Sequence, residues 1–146
     1  VDFDSEAFTN VNRGEVETLG GEWQLNWQLA DAVTVIAHAA YTDIDVINED
    51  AVLLGRPQWL AGASFDWLFS TGWNMGLDYT WTDDILASSL HTGASILTTL
   101  DASHRVDWRL AWQALPTLKL DLAADNILDE EYQSAVGFPR QVAYCE

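Results

Sequence analysis

Trp73-Asn74-Met75-Gly76-Leu77-Asp78-Tyr79-Thr80-Trp81 alternates without an error, with Trp73, Met75, Leu77, Tyr79 and Trp81 on odd positions and Asn74, Gly76, Asp78 and Thr80 between them. An extended backbone sends successive side chains to opposite faces, so this stretch is a strand with one apolar and one polar side. A helix would need apolar residues recurring at three and four positions. The flanking sequence repeats the strand pattern in both directions.

Upstream, Trp23, Leu25, Trp27 and Leu29 alternate with Gln24, Asn26 and Gln28, and Val33, Val35, Ala37, Ala39 and Tyr41 oppose Thr34, His38 and Thr42, with Ile36 the exception. Trp59, Ala61, Ala63, Phe65, Trp67 and Phe69 form a third apolar face opposite Gln58, Gly62, Ser64 and Asp66. Downstream, Val106, Trp108, Leu110 and Trp112 oppose Asp107, Arg109 and Gln113, and Leu118, Leu120, Leu122 and Ala124 oppose Lys119, Asp121 and Asp125. This predicts six strands and room for a seventh. Val1 to Thr18, including Asn10-Val11-Asn12-Arg13-Gly14, reads as a loop leading into the first of them.

The connections alternate in length. Ala30-Asp31-Ala32, Ser70-Thr71-Gly72 and Ala114-Leu115-Pro116-Thr117 are short, whereas Asp43 to Gln58, Asp83 to Ser103 and Asn126 to Pro139 are long. Short turns on one rim and long loops on the other characterise transmembrane barrels. The aromatic residues fit that geometry: Trp27, Trp67, Phe69, Trp73 and Trp112 sit beside the short turns, and Trp23, Tyr41, Trp59, Tyr79 and Trp81 toward the long loops. Indole and phenol rings favour the level where hydrocarbon meets headgroups, because each has an apolar body and a polar tip. The small residues between those ends, Ala37, Ala39, Ala61 and Ala63, are tolerable against lipid and a weak filling for a packed core. The expected fold is therefore all-β, an antiparallel up-and-down transmembrane β-barrel segment. Its alternative is a soluble secreted all-β module, structural or adhesive, in which the tryptophans fill a dry interior.

Composition excludes several other classes. Twenty-three acidic residues against six Lys plus Arg give a formal net charge of -17, so no basic stripe exists to bind nucleic acid. A single cysteine, Cys145, permits no disulfide within the chain and no cysteine-rich metal site. No apolar run is long enough for a membrane helix, a test that alternating barrel strands escape. The chain starts Val1-Asp2-Phe3-Asp4 without a leader and reads as a processed or excised piece. Six or seven strands cannot close a water-lined barrel, so a longer chain or a complementary one must supply the rest.

Asp125-Asn126-Ile127-Leu128-Asp129-Glu130-Glu131-Tyr132, followed by Gly137-Phe138-Pro139, resembles the last hairpin of TonB-dependent receptors. Leu19-Gly20-Gly21-Glu22 resembles the Gly-x-Glu that opens a strand in that family, and Gly55-Arg56-Pro57 its Arg-Pro before a descending strand. Order and spacing agree from about Asn10 to Pro139. The resemblance implies that residues 1–146 are the C-terminal part of such a receptor: about seven strands of a 22-stranded outer-membrane barrel, with the plug domain absent from this chain. It implies as partners the outer-membrane lipid of a bacterium, the remaining barrel strands, the plug, the TonB complex reached through the missing N-terminal part, and a scarce small-molecule ligand such as a ferric siderophore or cobalamin. The sequence departs from the family after Pro139, where Arg140-Gln141-Val142-Ala143-Tyr144-Cys145-Glu146 replaces Gly-Arg and a terminal aromatic.

Candidate site residues are the loop carboxylates. Asp43, Asp45, Asn48, Glu49 and Asp50 crowd one long connection and have the oxygen donors that calcium favours, although Ile47 and Asn48 break the spacing of a calcium-binding hand loop. Asp83, Asp84, Asp129, Glu130 and Glu131 occupy the other long connections, where the family places ligand contacts. Each set also reads simply as solvated loop charge. Asp107 and Arg109, two apart on one face, are expected to join a charged lumen network that seats the plug. His38, His91 and His104 lack zinc-type spacing. Nothing resembles a nucleophile elbow or an ordered triad, so no enzyme is expected and no cofactor beyond loop calcium.

Overall fold

The computed structural model describes residues 2–4, 9–11, 15–47, 53–91, 94–133, 136 and 144–145. Among them are eleven strands and no helix. β1 (Asp2–Asp4) and β2 (Thr9–Val11) form a small hairpin of their own. A seven-stranded sheet follows: β3 (Val16–Ala30), β4 (Val33–Val46), β5 (Trp59–Ser70), β6 (Trp73–Thr82), β9 (Ser103–Leu115), β10 (Leu118–Asp125) and β11 (Tyr144–Cys145). β7 (Ile85–His91) and β8 (Ala94–Leu100) pair as a separate ribbon between β6 and β9. The sheet order is that of the chain, and every pairing is antiparallel. β3 and β11 are its two open edges among the described residues.

Register holds the alternation in phase across the sheet. Trp27, Val35, Phe65, Leu77, Trp108 and Ala124 stand side by side in one row, each opposite the next. Asn26, Ile36, Ser64, Asp78 and Asp107 form the neighbouring row on the other face. A slip of one residue at any pairing would mix the faces. The apolar face is capped by aromatic contacts, with Trp73 and Trp112 stacked at 4.9 Å and 11° near the short turns and Tyr41 against Trp59 at 4.7 Å toward the long connections.

Among the described residues nothing covers that face. Contacts between elements run only between hydrogen-bonded neighbours, so no second layer of described strands packs on the sheet. No described side chain is fully buried, and Trp23 and Trp27 are 56% and 52% exposed. The arrangement in which the tryptophans pack sheet against sheet in a dry interior does not occur among the described residues.

Strand lengths differ from the sequence reading in three places. β3 begins at Val16, inside the stretch read as loop, because Val16 to Leu19 find partners in Val46 to Asp43. For the same reason β4 runs on through Val46 rather than ending before Asp43. The connection Asp83 to Ser103 is largely a hairpin: Thr82 lies opposite Ser103 and Ile85 opposite Leu100, the same register, so the β6–β9 ribbon continues past the sheet without a bulge. The β-branched Ile and Thr of that segment are mixed with Leu, Ser and Ala and lack the alternation that would have revealed it.

Candidate functional site

Two regions concentrate polar chemistry: the polar face of β5, β6 and β9, and the side of the sheet that carries the long connections. On the polar face, Asp66, Gly76 and Arg109 occupy one row, in that order. Arg109 lies across Gly76 and donates through Nη2 to Asp66 Oδ1 two strands away. A Cβ at Gly76 would collide with the aliphatic stem and Nε of Arg109, so the glycine is what allows the guanidinium to cross. Gly62 makes the same allowance for the His38 ring. One row up, the Ser64 hydroxyl donates to Asp78 Oδ1 at 2.6 Å.

A second cluster closes the end of β10. Asn126 is 3% exposed, with a left-handed φ of 52°, and its amide side chain clamps Glu130 both ways: Nδ2 donates to the Glu130 carbonyl at 2.9 Å, and Oδ1 accepts from the Glu130 N–H at 3.1 Å. Its backbone N–H donates to Asp107 Oδ1 at 2.9 Å. The other Asp107 oxygen lies 2.9 Å from Arg105 Nε, an ion pair along the same strand. Arg105 is also turned toward the Tyr132 hydroxyl. Asp107 therefore ties β9 to the turn after β10 as well as serving the polar face. Asn is suited to this position because it tolerates left-handed backbone and offers both a donor and an acceptor.

On the side of the long connections, the β7–β8 ribbon stands between two clefts. One, of about 470 Å³, is lined by Thr42, Asp43, Arg56, Gln58, Asp83 and Asp84 among others. The Gly55 N–H donates to the Leu86 carbonyl at 2.8 Å and fixes this loop against β7, and Asp83 N–H donates to the Trp59 carbonyl at 3.1 Å. The other cleft, of about 540 Å³, lies between β8 and the segment after Asn126, with Thr98, Asp101, Glu130, Glu131 and Tyr132 in its walls.

The sequence-predicted site residues divide accordingly. Asp43, Asp83 and Asp84 come together in the first cleft, joined by Arg56, which the sequence presents only as part of Gly55-Arg56-Pro57. Glu130 and Glu131 line the second, whereas Asp129, in a left-handed turn with φ 51°, lines neither. Asp43 and Asp45 are strand residues of β4, on odd positions continuous with the Val33 to Tyr41 apolar face. Asn48, Glu49 and Asp50 lie outside the described residues, as does Gly137-Phe138-Pro139. Among the described residues no group of three or more His, Cys, Asp or Glu is placed to hold a metal. His104 is a β9 residue on the apolar face, its Nδ1 2.8 Å from the Tyr79 hydroxyl.

Comparison with known proteins places this geometry. The family described as TonB dependent receptor-like, beta-barrel, matches residues 1–127. The chain belongs to this family. Three receptor structures share its fold at 17% identity, each over 89% of this chain: FpvAI in complex with pyocin S2 (TM-score 0.76), the ferripyoverdine receptor of the outer membrane of Pseudomonas aeruginosa bound to ferripyoverdine (0.75), and the pyoverdine outer membrane receptor FpvA from Pseudomonas aeruginosa PAO1 bound to pyoverdine (0.75). This chain spans 18%, 19% and 21% of those chains respectively. The search of curated proteins gives no match. The TonB-dependent receptor match ends at Ile127, so most of the Asp125 to Tyr132 motif lies beyond it, and the Asn126 clamp supplies a physical reason for that motif.

Proposed function

We propose that this chain is part of an outer-membrane receptor that takes up a scarce small-molecule ligand with energy drawn through TonB. The observation that carries the reading is family membership joined to a one-layer sheet whose tryptophan- and leucine-bearing face has none of the described residues packed on it. In this reading lipid covers that face and water the other, and the long connections look outward from a bacterial cell. On β5 the aromatic ends Trp59 and Phe69 are ten residues apart, which is about 34 Å along the strand and about 26 Å once tilted by some 40°, close to the ~25 Å apolar band of such barrels. A soluble adhesive module would leave the same face in water, a contiguous apolar patch far larger than soluble monomers expose.

The open edges carry a second requirement. In hydrocarbon each unpaired backbone group costs several kcal/mol, and among the described residues nothing pairs with the outer edge of β3 along Val16–Ala30, so a further strand belongs beside it. The rest of the barrel, the plug and the TonB-contacting segment are assigned to the remainder of the receptor. The plug faces Arg109, Asp66, Asp78 and His38. The acidic clefts are the candidate ligand contacts, through Asp43, Asp83, Asp84, Glu130 and Glu131, with Arg56 the cation among them; Asp45 at the end of β4 and Asn48, Glu49, Asp50 and Asp129 in the adjoining connections remain candidates, as does calcium bound there. The role proposed is transport and not catalysis, as in the receptors that share the fold.

Ferric siderophores are the first ligand class to test, because structural neighbours are receptors bound to ferripyoverdine or pyoverdine. The intact receptor in detergent, titrated with ferric siderophores, cobalamin and oligosaccharides while tryptophan fluorescence is followed, is expected to show saturable quenching with one class. A receptor that stays monodisperse at high concentration without detergent or lipid would overturn the membrane reading.

A further inference from the structure

The β7–β8 ribbon is built unlike the rest of the chain. Ile85 to Leu100 contains no Asp, Glu, Lys or Arg in a protein of net charge -17, and Asp83-Asp84 and Asp101 bracket it. Ile96 and Leu97 are 51% and 62% exposed, and being adjacent in a strand they point to opposite faces. By the shared register Ile96 continues the apolar side of β9 beyond the sheet, whereas Leu97 falls on the opposite, polar side, where the apolar face does not account for it. A charge-free strand with aliphatic side chains on both faces is the kind that natural proteins guard with charge, proline or a bulge, because its free backbone groups pair with any strand that arrives. Here the continuous register shows no bulge, and the stretch contains no proline.

The two edges of the ribbon are treated differently. The β7 side is clipped by the Gly55 N–H on the Leu86 carbonyl. Among the described residues β8 pairs with β7 and with no other strand. Its far side opens on the cleft of about 540 Å³, where Ile96, Leu100 and Val136 supply apolar surface, Thr98 and Thr99 hydroxyls, and Asp101 and Glu130 carboxylates. That combination suits an extended basic peptide. An extended peptide would hydrogen-bond along Ala94–Leu100, its alternate side chains against the aliphatic wall, with basic side chains meeting the carboxylates.

We propose that the outer edge of β8 receives a basic, extended segment of a partner polypeptide, added as a strand to the β7–β8 ribbon. The inference takes from the functional reading only that this side of the sheet is open to partners in solution. Seven residues of β8 give about 24 Å of edge, enough for three or four hydrogen-bonded pairs, about six to eight backbone bonds in an antiparallel pairing. At about 1 kcal/mol each, these bonds are largely offset by the cost of ordering the peptide, so the apolar and charged contacts complete the affinity.

The test uses the intact receptor in detergent and a seven-residue peptide, Lys-Val-Thr-Val-Thr-Val-Lys, labelled for fluorescence anisotropy. Two further versions carry N-methyl groups on the odd or on the even residues. Strand addition uses only one of the two sets of peptide N–H groups, so one methylated version is expected to bind at least tenfold more weakly and the other within about threefold of the parent. Asp101→Asn with Glu130→Gln is expected to weaken the parent peptide by about threefold to tenfold and to flatten its salt dependence. Absence of parent binding up to 1 mM would overturn the proposal. So would equal losses from both methylated versions, which would mean contact without strand pairing. Self-association of the receptor that Leu97→Lys abolishes, without peptide binding, would assign the edge to a second copy and equally overturn it. Because Glu130 is also a candidate ligand contact, siderophore binding is followed on the unsubstituted receptor, where tryptophan quenching reads it separately from the peptide.

Discussion

Ala37 and Ile36 are neighbours on β4, and moving a charge between them tests which face meets lipid. Ala37 lies in the row Leu25, Ala37, Ala63, Tyr79, four residues from Tyr41 at one aromatic end and four from Val33, which faces Trp67, at the other. Four residues rise about 14 Å along the strand, or about 10 Å along the membrane normal at a 40° tilt, so Ala37 is near the middle of the apolar band. Ala37→Arg deletes almost no apolar surface, and snorkelling does not carry a guanidinium the whole of that distance. The expected cost is about 2–4 kcal/mol, a factor of about 30 to 900 in the folding equilibrium. Ile36→Arg places the same charge at the same depth on the polar face, in the row of Ser64 and Asp78, and its expected cost is below about 1 kcal/mol. Both would be measured on the intact receptor by urea titration in phospholipid vesicles, with heat-modifiable migration as a second readout of barrel folding. Were both faces in water, Ala37→Arg would stay within about 0.5 kcal/mol and the two variants would cost about the same. An Ala37→Arg cost no larger than that of Ile36→Arg refutes the assignment of faces.

Two further outcomes follow from the polar side. Gly76→Ala is expected to displace Arg109 from Asp66, at a cost of about 1 kcal/mol or less because both groups are partly exposed, and Asp66→Ala should remove most of that effect in a double-mutant cycle; additive effects would show that Gly76 does not act through the ion pair. Asn126→Ala is expected to cost about 2–4 kcal/mol through two lost bonds to Glu130 and a left-handed backbone, with Asn126→Gly recovering about 1 kcal/mol by removing the strain alone. Limited proteolysis between Ile127 and Glu131 reports it, and equal cleavage of the alanine and glycine variants would dismiss the backbone contribution.

The period of two was enough to place the strands and divide their faces, because in an extended chain alternation is local geometry and needs no partner. Trp73 to Trp81 could therefore be read at once, and so could the aromatic ends and the alternation of short and long connections. The Asp125 to Tyr132 motif pointed to the family, although its role as a turn clamp did not show until Asn126 and Glu130 were seen to face each other.

Tertiary structure decided what depends on pairing. Strand ends at Val16 and Val46 exist because each supplies the other's hydrogen bonds, and neither shows in composition. The β7–β8 ribbon was hidden because its side chains do not alternate between apolar and polar; register inherited from β6 and β9 holds it in place. Asp43 is far in sequence from the neighbouring pair Asp83 and Asp84 and meets them only because β4 and β6 flank β5. Arg109 reaches Asp66 for the same kind of reason: three strands bring an aspartate, a glycine and an arginine into one row, and no single strand carries that information.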